Sequence, residues 1–194
     1  MSGPVSNPTS AAFFDEKYAW AADPWAFATS PYEQGRYADL CRALGAARYE
    51  RAFEPGCSVG ALTTMLAPRC GSLLAMDISP HAVAQARRRC AGRRNVELVV
   101  GRLPEDLPDG PFDLIVFSEM GYYFAEDALR TLLSRLVREL DSGGTLAGTH
   151  WTGTSVDHVL SGPRVHALID GTDGLTAVER SVRAGYELGV WTRR

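Results

Sequence analysis

Apolar and polar positions change period along this chain, and the changes mark out its elements. Leu129, Leu132, Leu133, Leu136, Val137 and Leu140 recur at i, i+3 and i+4, the spacing of a helix with one face on a sheet. Just before it, Leu114–Phe117 is apolar at every position, as a central parallel strand must be when both its faces are covered. Ala52–Glu54, Leu73–Met76 and Val96–Val100 read as earlier strands. Val59–Leu66 and a stretch from Pro80 to about Ala91 read as the helices between them, the second capped by Ser79. Leu103 to Pro111 is a Pro-rich loop. Gly143-Gly144 is the expected stop of the leucine-rich helix, and Thr145–Thr149 the expected fifth strand. A short helix is predicted from Ser161 to Ile169. Ala177–Arg183 and Tyr186–Trp191 complete the set; the link Ala184-Gly185 is so short that this last pair must be antiparallel. Strands alternating with helices specify an α/β fold with a largely parallel sheet.

Two helices precede that alternation. Ala11 to Trp20 carries Phe13, Phe14, Tyr18 and Trp20 at helical spacing, and Pro24 interrupts it. Ser30-Pro31-Tyr32-Glu33 reads as a cap, a proline at the first position and a capping-box glutamate. That helix should run to about Leu44, with Gly45 as its stop. Met1 to about Ser10 is polar and expected to fray. The expected organisation is one domain over 1–194, with 1–45 as a helical lid and 46–194 as the core.

The chemistry centres on Arg51-Ala-Phe-Glu-Pro-Gly-Cys-Ser-Val-Gly60. An apolar strand runs into Glu54, then a glycine-bearing turn, then a helix start. Gly56 and Gly60 let the backbone turn sharply and a ligand lie against it, with the free N–H groups of the next helix facing the same spot. Asp77 ends the following apolar run about 20 positions on, where a carboxylate can accept both hydroxyl protons of a ribose. A dinucleotide fingerprint would place glycine at two positions held here by Ser58 and Ala61.

What remains, Glu-x-Gly-x-x-x-Gly, resembles motif I of the class I S-adenosylmethionine (SAM) methyltransferases. Glu54, Asp77, Phe112-Asp113-Leu-Ile-Val-Phe-Ser-Glu119 and Leu140-Asp-Ser-Gly-Gly-Thr-Leu146 follow in the same order. Within that superfamily most of the chain resembles the nodulation protein S branch, through Ala26-Phe-Ala-Thr-Ser-Pro-Tyr-Glu33, Ser118-Glu-Met-Gly-Tyr-Tyr-Phe124, Thr149-His-Trp151 and Leu160-Ser-Gly-Pro-Arg-Val-His166. The resemblance implies a Rossmann-like class I methyltransferase fold: a seven-stranded, mostly parallel sheet with an antiparallel C-terminal hairpin and helices on both faces. It also implies SAM as the methyl donor and S-adenosylhomocysteine as product. The founding members of the branch are N-methyltransferases of partly deacetylated chitin oligosaccharides, so the implied acceptor is a small polar molecule such as an amino sugar.

On this reading Glu54, Gly56, Cys57, Ser58 and Gly60 hold the methionine part of SAM, Asp77 the ribose, and Ile78 flanks the adenine, with Leu103 also in the cofactor set. Many relatives carry an acidic residue after the third strand; Gly101-Arg102-Leu103 stands there instead, and since an arginine cannot accept a proton from the adenine amine, the adenine is expected to be held by backbone groups or by stacking on Arg102. Trp20 and Arg36 approach from the lid, Arg36 as a planar fork for the SAM carboxylate, and Ser118 closes the cofactor set. Glu119, Tyr122, Tyr123, His150 and Trp151 form the expected acceptor pocket. Carboxylate and aromatic faces suit a cation or an amine. His150 is the expected base, since a histidine takes a proton near neutral pH, with a structural hydrogen-bonding role as the alternative. His81, His158 and His166 have weaker claims, the last two as possible substrate-loop residues.

The competing readings are an O-methyltransferase, a nucleotide-dependent oxidoreductase, and a protein that binds SAM without catalysis. The formal net charge of −3 with no long basic run argues against nucleic acid, and no apolar stretch approaches the ~20 residues of a membrane span. Cys41, Cys57, Cys70 and Cys90 have no metal or redox spacing. With no signal-peptide pattern at the N-terminus, the expectation is a reduced, cytoplasmic protein without a metal.

Overall fold

The computed structural model describes residues 10–194, so the fraying expected over residues 1–9 lies outside the described residues. Seven strands form one sheet in the order β3-β2-β1-β4-β5-β7-β6. They are β1 (Tyr49–Pro55), β2 (Cys70–Asp77), β3 (Val96–Val100), β4 (Phe112–Val116), β5 (Leu140–Trp151), β6 (Leu175–Arg183) and β7 (Tyr186–Arg193). The first five are parallel, and β7 runs antiparallel to both β5 and β6. The helices are α1 (Ala11–Trp20), α2 (Pro31–Ala43), α3 (Ala61–Leu66), α4 (Pro80–Arg89), α5 (Glu126–Glu139) and α6 (Gly162–Asp170).

Strand alternation sends neighbouring side chains to opposite layers. Phe53 and Ile115 join Leu129, Leu132, Leu133 and Leu136 of α5, with Val165 and Ile169 of α6. Ala52, Leu114 and Val116 join Leu40 of α2 and Leu62 and Leu66 of α3 on the other face. All of these are buried, which explains why the middle strands read as continuous apolar runs.

Two local expectations are corrected. The leucine-rich helix ends at Glu139 rather than at the glycine pair. Gly143 and Gly144 lie inside β5, where the stretch from Leu140 to Thr145 stands opposite the shorter stretch from Phe112 to Leu114 of β4. Gly143 takes φ +76° there, so the glycines absorb a bulge instead of stopping a helix. Ser30 does not form a side-chain cap; Glu33, expected to complete that box, turns to Arg36 one turn along.

Candidate active site

The strand order reverses between β1 and β4, and ligands of doubly wound sheets bind at the carboxyl ends beside such a reversal. A cavity of about 450 Å³ lies there. The ends of β1 and β2 supply Gly56, Ser58, Met76, Asp77 and Ile78. Arg102, Leu103 and Glu105 come from the loop after β3, and Glu119, Met120 and Tyr123 from the segment after β4. Phe14 and Tyr18 of α1, with Trp25 and Phe27, form the cover.

The loop after β1 is held in shape from below. Gly56 and Gly60 adopt φ +70° and +76°. A Cβ on Gly60 would lie 3.0 Å from Ala86, so a side chain there would push α4 away. The N–H of Ser58 donates to Asp77 Oδ2 at 2.8 Å, and that of Ser79 to Oδ1 at 2.9 Å. Asp77 thus ties the loop to the start of α4. Burial pushes its carboxyl up to about 6, against the pull of those N–H groups. Glu54 lies under the loop, and its Oε2 has no hydrogen-bond partner among the described residues. Burial pushes this carboxyl up to about 8, opposed by the Thr63 hydroxyl and reinforced by the charge of Asp77.

The cover is fastened to the same loop. Tyr18 Oη lies 2.5 Å from Ser58 Oγ. One turn earlier Asp15 accepts from Ser79 Oγ at 2.7 Å and meets His81 Nδ1 at 2.8 Å. The Phe14 ring meets Tyr123 edge to face at 4.9 Å.

Beyond β4 the backbone turns through Glu119 at φ +57°. Its Oε1 accepts the Trp151 N–H at 2.7 Å and pairs with Arg36 Nη1 at 2.5 Å; its Oε2 accepts Tyr122 Oη at 2.8 Å. Arg36 is buried and also bonds Glu33. One guanidinium therefore faces two carboxylates, and the cluster carries a formal excess of negative charge beside the cavity wall.

Of the residues expected at the site, Gly56, Ser58, Asp77, Ile78, Arg102, Leu103, Glu119 and Tyr123 line the cavity. The others do not. Trp20 is 89% exposed and points away, because Phe14 and Tyr18 share the inward face of α1 and Trp20 does not. Arg36 reaches the cavity only through Glu119. Glu54, Cys57 and Gly60 form the buried underside of the loop. Ser118 is taken up by β5: its hydroxyl meets Thr149 Oγ1 at 2.8 Å and accepts the Thr149 N–H at 3.0 Å. Tyr122 is core, and Trp151 stands half-buried outside the cavity.

The expectation of His150 as base is corrected by its surroundings. Its side chain is fully buried. Nε2 accepts the Gly121 N–H at 3.2 Å, so that lone pair is used. The other nitrogen, Nδ1, must then carry the proton, and it faces His166 Nε2 at 3.2 Å. Burial, followed by the nearby charges of His166 and Arg36, holds His150 well below the usual histidine range. These contacts are those of the structural hydrogen-bonding alternative.

Sequence reasoning missed Phe14, Tyr18, Trp25 and Phe27 as cavity residues. The i, i+4 spacing of Phe14 and Tyr18 was the available signal. It also missed Glu105, the carboxylate that the loop after β3 brings to the cavity three residues beyond Arg102. Among the described residues no group of three His, Cys, Asp or Glu side chains is placed to hold a metal ion, and all four cysteines are free and buried. No helix among them is long and apolar enough to cross a membrane.

Comparison with known proteins decides the family. The family described as nodulation protein S (NodS) matches residues 12–166. The chain belongs to the NodS family. It is 34% identical over 169 residues to nodulation protein S of Rhizobium tropici, covering 82% of this chain and 68% of that protein. It is 32% identical to the Sinorhizobium fredii protein, over 82% of this chain and 76% of the other. The solved structure of N-methyltransferase NodS from Bradyrhizobium japonicum WM9, in complex with S-adenosylhomocysteine, superposes with a TM-score of 0.83 at 26% identity, over 94% of this chain and 98% of that one. The fold is accordingly the Rossmann-like class I methyltransferase fold, and this NodS-family chain is a SAM-dependent methyltransferase. The oxidoreductase alternative falls with that finding. The residues present fit the cofactor: a buried carboxyl group at Glu54, one oxygen of which has no partner among the described residues, beside a glycine turn, and Asp77 at the end of β2 on the cavity wall.

Proposed function

We propose that this enzyme transfers the methyl group of SAM to the nitrogen of a small polar amine, an amino sugar or a related metabolite. SAM, when bound, supplies a methyl group made electrophilic by its sulfonium, so the protein's work is placement and charge. Asp77 would hold the ribose hydroxyls with the lone pairs that Ser58 and Ser79 leave free. Ile78 and Leu103 would flank the adenine, Glu105 supplying the acidic group at its edge. Gly56 and Ser58 would lie along the methionine part. Phe14, Tyr18 and Trp25 would exclude water from above.

The observation that carries the nitrogen assignment is the Glu33–Arg36–Glu119 cluster beside Tyr123. Its formal negative excess and the ring faces at the cavity wall favour a cationic partner over a neutral hydroxyl. The N-methyltransferase of Bradyrhizobium japonicum in the same family supports the same choice. A cytoplasmic setting and a single-domain organisation with the first 45 residues as a lid belong to this proposal too.

The test is methyl transfer from SAM to glucosamine, to partly deacetylated chitin oligomers, and to matched fully acetylated oligomers. Product carrying the methyl group on nitrogen is expected with the first two alone. Transfer to a hydroxyl, with none to any amine, would overturn the nitrogen assignment in favour of O-methylation.

A further inference from the structure

With Nε2 of His150 committed, the proton of the acceptor needs another destination. Glu119 is already engaged by Arg36, the Trp151 N–H and the Tyr122 hydroxyl. Tyr123 is held protonated, since burial drives its hydroxyl well above the usual tyrosine range. His166 is buried, with burial pushing it down to about 3. His81 is engaged by Asp15 at 2.8 Å. One histidine is left.

We propose that His158 takes the proton from the acceptor nitrogen, its imidazole fixed on Tyr122 beside the cavity-lining ring of Tyr123. The proposal rests on the N-methyltransferase reading above. His158 lies in the loop between β5 and α6, and that loop is tied down at Tyr122, whose carbonyl accepts the N–H groups of Val159 at 2.8 Å and Leu160 at 3.1 Å. The Tyr122 ring stacks face to face on the imidazole, with centroids 3.8 Å apart and planes 16° apart. Tyr123 and Trp151 meet it edge to face at 5.3 and 5.9 Å. Three rings therefore fix the imidazole plane, yet neither ring nitrogen has a hydrogen-bond partner among the described residues. The side chain is only part-buried, which leaves it a route to hand the proton on to water.

The surroundings suit a base that is neutral at rest and charged for a moment. Burial lowers His158 from its ordinary value, while the carboxylates of Asp157 in its own loop and Glu119 after β4 pull the other way. The rings of Tyr122, Tyr123 and Trp151 packed against it carry no charge near neutral pH, and His150, behind Tyr122, is held neutral by its burial. A ring face under the imidazole stabilises the cation that forms when the proton arrives. In the step itself the acceptor ammonium gives one proton to His158, directly or through one water. The lone pair so freed forms the N–C bond while the C–S bond breaks, and its electrons stay on sulfur as the neutral thioether. The product keeps one positive charge on nitrogen, and His158 releases its proton to solvent.

The experiment has two arms. In the first, the imidazole of His158 is titrated by NMR in the full chain saturated with S-adenosylhomocysteine, with and without partly deacetylated chitin tetramer. A midpoint below that of a free histidine is expected, with a shift when the tetramer binds; an unshifted midpoint with tetramer bound elsewhere would overturn the contact. In the second, wild type and His158→Gln are compared from about pH 6 to 9 with the same tetramer. The variant should lose at least ~10-fold in turnover near neutral pH, keep its S-adenosylhomocysteine affinity, and approach wild type at high pH as the amine deprotonates by itself. Equal rates across the range would overturn the proposal. Transfer to hydroxyls alone would sink the nitrogen assignment, and the titration, repeated with that hydroxyl acceptor, would still decide for or against His158.

Discussion

Tyr18 Oη and Ser58 Oγ, forty residues apart in the chain, lie 2.5 Å from each other. Through that bond α1 and the loop after β1 hold the cavity between them. Tyr18→Phe removes it and keeps the ring. A net hydrogen bond is typically worth ~0.5–1.5 kcal/mol, so S-adenosylhomocysteine should leave the variant about 2- to 12-fold faster. Stopped-flow release measures this, and Trp20→Ala serves as the control: its exposed side chain touches nothing at the site, and its release rate should match wild type.

Asp77 supplies a second test. Asp77→Ala should weaken SAM binding by about 1.5–3 kcal/mol, the usual scale for hydrogen bonds to a charged group. Calorimetry on folded variant decides. Unchanged affinity would remove Asp77 from the ribose.

Glu54 makes a prediction about stability and pH. Its folded value, about 8, lies above the 4.5 of an ordinary glutamate. The folded state therefore binds more protons than the unfolded chain between those limits, and stability falls as pH rises through that window. Glu54→Gln cannot ionise. Without ligand it should melt like wild type near pH 4.5 and above wild type at pH 9. Thermal midpoints for both proteins across that range are the measurement; parallel curves would mean that Glu54 finds a partner that stabilises its charge.

His150 should behave as a structural residue. His150→Ala leaves the Gly121 N–H and the His166 ring without their partner, and each buried group so stranded costs ~1–3 kcal/mol. Denaturant unfolding should show that loss. The pH dependence of turnover should keep its midpoint, because the group that titrates is elsewhere. A displaced midpoint would return His150 to the chemistry.

Much of this was legible beforehand, and what was not has identifiable causes. Element type and succession along the chain were readable because the leucines of α5 and the apolar run of β4 follow distinct periods; the order of the strands in the sheet was not, since it depends on pairing between segments far apart in the chain. Gly56 and Asp77 were readable because turn chemistry and spacing are local properties. Gly143-Gly144 misled, since a glycine pair fits a helix stop and a strand bulge equally well, and only pairing with β4 distinguishes them. His150 misled for a related reason. Its place at the end of β5 is visible in sequence, but whether its nitrogens face solvent depends on Gly121 and His166, which reach it from other elements. The cover was half legible: the aromatic content of α1 was plain, whereas the choice of Phe14 and Tyr18 over Trp20 depends on how α1 is rotated against α4, through Asp15 and Ser79.

The direction of β7 has a practical consequence. Tyr186 opens that strand opposite Trp151, at the cavity end of the sheet, and the strand then runs back until Arg193 lies opposite Leu175. Arg194 therefore emerges at the amino ends of the parallel strands, the full depth of the sheet from the cavity, while Ser10 sits on the cavity wall itself. A fluorophore or a surface tether carried by Arg194 would leave the mouth clear for substrate, whereas the same label on the side chain of Ser10 would stand at the cavity wall.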